Sequence, residues 1–143
     1  MLPSKLVDEL LTETVNEIRR VRAILKADRY LIDRGLGIQS GYGAASLDNY
    51  LSWLVLRASC LTTGGHIRDG LPDVGDRVEC RIEEDSIQLA EVWAFRRDRD
   101  WVAVWLSITD VNGRNPIFFG TTDQKYRQNW WLEDERPEMG TEK

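Results

Sequence analysis

Between Ser4 and Arg34 apolar side chains recur every three or four positions. Leu11, Ile18, Leu25 and Ile32 stand seven apart, with Val7, Thr14 and Val21 on the adjoining row. That period belongs to one face of a helix, so residues 1–34 are expected to carry a long amphipathic helix. Ser4 is placed to cap it, acidic Asp8, Glu9, Glu13 and Glu17 fill its first half, and basic Arg19, Arg20, Arg22, Lys26 and Arg29 its second, an order that suits the helix dipole. Gly35 and Gly37 are expected to end it. A glycine-rich connector follows. Ser46 then opens a second helix over 46–63, with Leu47, Tyr50, Leu51, Leu54, Ala58 and Leu61 on one face. Trp53, Leu56 and Cys60 lie off that face, so this helix is expected to be buried on two sides.

After the turn formers Gly70, Pro72 and Gly75 the pattern changes to alternation. Val78, Cys80 and Ile82 mark one strand, Ile87–Arg96 a second, Trp101–Asp110 a third and Asn115–Gly120 a fourth. Short polar connections predict an antiparallel meander over 77–120. Thr121 followed by Gln124 has the form of a capping box, which predicts a short helix over 122–132 with Tyr126 and Trp130 one turn apart. The polar stretch 133–143 is expected to be a flexible tail. The fold class is therefore α+β: two helices packed on a four-stranded, mostly antiparallel sheet, in one domain spanning 1–132.

The hairpin between the second and third strands can be registered from its turn. Centring it between Asp98 and Arg99 places Phe95 beside Val102, Trp93 beside Val104, Glu91 opposite Leu106 and Leu89 beside Ile108, an apolar face expected to point inward. The other face then carries Arg96 beside Trp101, Ala94 beside Ala103, Val92 beside Trp105 and Ala90 beside Ser107. Phe118 joins this face, and Gly120 falls opposite Trp105. Two indoles flanking small residues make a shallow aromatic groove. Either a helix of the same chain covers it, or part of it stays open as a contact surface, with Trp and Arg as anchors.

At 143 residues the chain is of single-domain size, and 42% apolar against 30% charged residues is enough for a buried core. The net charge of −5 disfavours direct nucleic-acid binding. Two cysteines are too few for a disulfide framework, and no apolar stretch suits a signal peptide or a membrane span, so a cytoplasmic location without membrane association is expected.

No stretch carries a specific catalytic or cofactor signature, and neither a cofactor nor a metal is expected. The segment Gly35–Gly43 is rich in glycine but follows a helix and lacks the Lys-Ser/Thr ending of a phosphate loop. Function is therefore sought on surfaces. Trp101, Trp105, Arg96 and Phe118 form the candidate aromatic contact, and Glu83, Glu84 and Asp85, clustered in a turn, form an acidic edge suited to a basic partner. These residues point to a non-enzymatic interaction protein, an adaptor or an inhibitor, one form of which blocks a nucleic-acid-binding site. Two alternatives stand beside it. One is a small enzyme or ligand-binding protein using Glu91 as an acid, or His66 with Asp69. The other is a self-assembling subunit joined through the stripe on residues 7–32.

Overall fold

The structure, a computed structural model, describes residues 6–36, 44–109 and 116–137. The expected cap at Ser4, the connector residues 37–43, the turn Val111–Arg114 and the tail beyond residue 137 lie outside them. The elements run α1 (Val7–Asp33), α2 (Ala44–Thr62), β1 (Arg77–Glu83), β2 (Ser86–Arg97), β3 (Val102–Thr109), β4 (Pro116–Thr122), a 3-10 turn (Asp123–Lys125) and β5 (Trp130–Trp131). The fold is α+β, two helices on an antiparallel sheet, with five strands in the order β4-β3-β2-β1-β5.

The middle of the helical stripe of α1 is buried inside the molecule, while Ile32 at its end is exposed. Ile18 and Val21 form a cluster with Leu47 and Leu54 of α2, joined by Leu25 and Tyr50. Thr14, on the same seam, is buried because its hydroxyl donates to the Leu10 carbonyl at 2.7 Å. These contacts within the chain occupy the centre of the surface that self-assembly through 7–32 would need. At the end of α2, Gly65 adopts φ +72° and its N–H reaches back to the Cys60 carbonyl at 3.0 Å, closing the helix.

The C-terminal segment departs from the expected short helix. Arg127 takes φ +70°, which no helix tolerates, and Trp130–Trp131 pair with Cys80 and Glu79 at the free edge of β1. Burial decides this: both indoles are fully enclosed, a larger gain than one turn of helix offers. Trp130 also shows how far the sheet curls. Its backbone pairs next to β1, yet its Nε1–H donates to the Thr122 carbonyl of β4 at 3.0 Å. A flat sheet would hold those strands about 19 Å apart, at about 4.8 Å per spacing. The strands therefore wrap around Val78, Val92, Val104 and Leu106, all wholly buried.

Residues 133–137, expected to be flexible, are anchored. Arg136 Nε donates to Glu79 Oε1 at 2.7 Å, and Trp131 Nε1 donates to the same oxygen at 2.8 Å. The arginine's hydrogen bonds hold the Glu79 carboxyl below its usual range, against burial, which acts the other way.

Candidate functional site

The hairpin of β2 and β3 turns one residue later than its sequence suggests. Asp98 N–H donates to the Trp101 carbonyl at 2.8 Å, and the Asp98 carboxylate accepts from Arg99 N–H at 2.7 Å, so Trp101 belongs to the turn. The pairs become Phe95 with Val104, Ala94 with Trp105 and Arg96 with Ala103. Immediately before Ala94 a bulge leaves Trp93 without a partner, and Val92 pairs with Leu106 and Glu91 with Ser107. The bulge puts Val92 and Ala90 into the interior and brings Glu91 and Trp93 to the face expected to carry the groove. Glu91 is thus not opposite Leu106, Trp101 is not beside Arg96, and Val92 is not beside Trp105.

Part of the expected aromatic face is assembled, with further rings brought by α2 and by the bulge. Trp105 faces Gly120, as the register of β4 implied, and Phe118 pairs with Ser107 on the same face. The Trp53 ring of α2 lies edge-on to Trp105 at 5.7 Å and stacks on Phe118 at 4.8 Å, while Trp93 meets Phe118 edge-on at 4.8 Å. Tyr50 also stacks with Phe118, at 6.5 Å. The Arg96 guanidinium sits over the Trp105 ring at 5.7 Å. All five aromatic residues are half-buried, so α2 covers the floor in part.

A buried arginine fixes this helix on the sheet. Arg57, 4% exposed, forms an ion pair with Glu91, and its Nη1 donates to the Trp93 carbonyl at 3.0 Å and the Val92 carbonyl at 3.3 Å. Its guanidinium also stacks over Trp93 at 4.3 Å. The bulge turns those two carbonyls toward the helix; Arg57 donates to both, and the Val92 carbonyl also accepts from Gly75 N–H at 2.9 Å. Glu91 is therefore the counterion of a structural arginine from α2. Between α1 and α2, burial and a hydrogen bond to Glu17 push the Tyr50 hydroxyl pKa up, and Arg20 holds Glu17 down.

The other candidates lie apart. Glu83, Glu84 and Asp85 are exposed at the β1–β2 turn, just before Ser86, whereas Trp105 lies beside Ala94. Eight residues of strand separate those positions, about 26 Å at 3.3 Å per residue. Trp101, half-buried, stands at the opposite end of β2 from the acidic turn. The structure therefore joins Arg96, Trp105 and Phe118 and separates them from Trp101 and from the acidic edge.

His66 is exposed, its Nδ1 2.9 Å from Asp73 Oδ1 and its Nε2 3.0 Å from Asp69 Oδ1. Both neighbours are acceptors, so the imidazolium satisfies both. The hydrogen bonds, that of Asp73 first, raise its pKa above the usual histidine value. Among the described residues no group of three His, Cys, Asp or Glu side chains is arranged to hold a metal ion. Cys60 and Cys80 are buried free thiols, and burial pushes Cys80 up to about 11.

Tyr50, Trp53, Trp93 and Arg57 were not among the expected site residues. Tyr50, Trp53 and Arg57 are spaced three and four apart on one line of α2, and that spacing was the available signal. No family model matches the chain, and neither a curated protein nor a solved structure is significantly similar to it. No described helix is long and apolar enough to cross a membrane.

Proposed function

We propose that this chain is a non-enzymatic interaction protein, an adaptor or inhibitor, that anchors a partner on the Trp105–Phe118 face and uses its acidic turn to meet a basic surface. The observation that carries the reading is the partial cover of that face: Trp53 packs on Trp105, which is half-buried, while Gly120 beside it is exposed. Half-open tryptophan with an arginine stacked on it is the composition of interface anchors. The acidic turn adds long-range attraction, which raises association rate and selects partners of opposite sign. Because the two patches are separate, a partner must be broad enough to span both, as a folded protein is. Two buried free thiols suit a cytoplasmic setting.

The test is retention of partners by immobilised protein at physiological salt. Retention should fall at least tenfold when Trp105→Ala is combined with charge reversal of Glu83, Glu84 and Asp85. Partners that stay bound to that variant, shown to be folded by circular dichroism, overturn the assignment.

A further inference from the structure

The second half of α1 shows solvent a mainly basic face, with exposed Asp33 closing it at the helix end. Arg19, Arg22, Lys26 and Arg29 are all exposed, in a row that runs about 15 Å at 1.5 Å per residue. Apolar side chains adjoin the row: Tyr30 is 54% exposed and Ile32 51%. The acidic β1–β2 turn has the complementary make-up. Glu83, Glu84 and Asp85 are exposed, and Ile82, at the bulge beside them, is 41% exposed.

The two surfaces cannot neutralise each other within one molecule. The later turns of α1 line a shallow cavity in which Lys26 and Arg29 stand with Asp33 and with Asp48 at the start of α2, leaving Arg19 and Arg22 outside it, and the first half of α2 lies over β4 through the Tyr50–Phe118 stack. The acidic turn instead projects from the β1–β2 hairpin, two strands away from β4.

We infer that the basic face of α1 in one molecule receives the acidic β1–β2 turn of a second copy, in a head-to-tail contact. This rests on the reading of that turn as a contact surface and names its partner. Opposite charges meet, and Ile82 finds apolar cover against Tyr30 and Ile32. A nucleic acid would match the cations alone, whereas the turn of a second copy also brings Ile82 to the exposed Tyr30 and Ile32. A head-to-tail contact uses two different patches, so it adds copies until a ring closes. The attraction acts between exposed groups, and salt weakens it.

The experiment is sedimentation equilibrium over a concentration series. At about 0.01 M salt, where the Debye length is about 30 Å, the wild-type mass should rise with concentration above the 16.5 kDa monomer. At about 1 M salt, with a Debye length of about 3 Å, it should return to the monomer. Two variants are decisive: E83K/E84K/D85K and R22E/K26E/R29E. Each alone should be monomeric, and an equimolar mixture should associate again, because the reversed surfaces match each other. Association that survives either reversal overturns the inference, as does a wild type that stays monomeric at low salt. In that second case, binding of a lysine- and arginine-rich peptide separates the two proposals. If the peptide is bound by wild type and lost in E83K/E84K/D85K, the turn remains a contact surface for another protein; if it is not bound, that function of the turn fails as well.

Discussion

Replacing Arg57 with Ala should loosen the helix pair from the sheet, and the structure sets the size of the effect. The guanidinium is almost fully buried and donates to the carbonyls of Val92 and Trp93 while stacking on the Trp93 ring. A hydrogen bond from a charged donor contributes about 1.5–3 kcal/mol, and an unpaired buried acceptor costs about 1–3 kcal/mol. The cation–π contact adds about 0.5–1 kcal/mol. The Glu91 pair adds little more, because that carboxylate is 40% exposed and water replaces the lost partner. Allowing for water entering the space left by the side chain, the loss should be about 3 kcal/mol. With a urea m-value of about 2 kcal/mol/M, the unfolding midpoint should fall by about 1.5 M. Glu91→Gln, measured in parallel, should lower it by less than about 0.5 M. A fall below about 0.3 M for Arg57→Ala would refute the reasoning, as would equal losses for the two variants, since the ion pair would then outweigh the contacts to the bulge.

Two further perturbations follow from single contacts. His66 should titrate above about 6.5; its folded value is raised, so its contribution to stability is complete below that pH and disappears as pH rises through the folded value. An NMR titration of the imidazole should show this, and Asp73→Asn with Asp69→Asn should return the midpoint to about 6.5; an unchanged midpoint contradicts the paired geometry. Gly75→Ala should destabilise by about 2 kcal/mol in thermal unfolding, because φ is +99° and the added methyl collides with Leu10 Cδ1. Adding Leu10→Ala should relieve none of the backbone part, so the double variant must stay less stable than Leu10→Ala alone.

Both helices and the four main strands were legible in the sequence because each carries a sustained period: the Leu11–Ile32 stripe for α1 and alternation from Val78 onward for the sheet. The pairing of Trp105 with Gly120 was legible too, since Pro116 restricts how β4 can begin. The register of β2 was not. An Asp98 side chain held by its neighbour's N–H moved the turn by one residue, and the bulge at Trp93 reversed the facing of Glu91 and Val92. A bulge has no composition of its own; here its carbonyls are met by groups distant in sequence, that of Trp93 by Arg57 and that of Val92 by Arg57 and Gly75 N–H. For the same reason the site was half legible. Trp105, Phe118 and Arg96 share a strand-based pattern, whereas Trp53 reaches them only through the docking of α2. The capping-box pattern at Thr121–Gln124 misled because burial of Trp130 and Trp131 against β1 outweighs local helix preference.

The exposure of Trp105 in the free protein can be read by fluorine NMR on protein labelled with fluorotryptophan, with its resonance assigned by its loss in Trp105→Phe. A soluble paramagnetic agent should broaden Trp105 clearly while leaving Trp130 and Trp131, both fully enclosed, unchanged. If Trp105 is as well protected as those two, α2 seals the aromatic face and no partner can dock there.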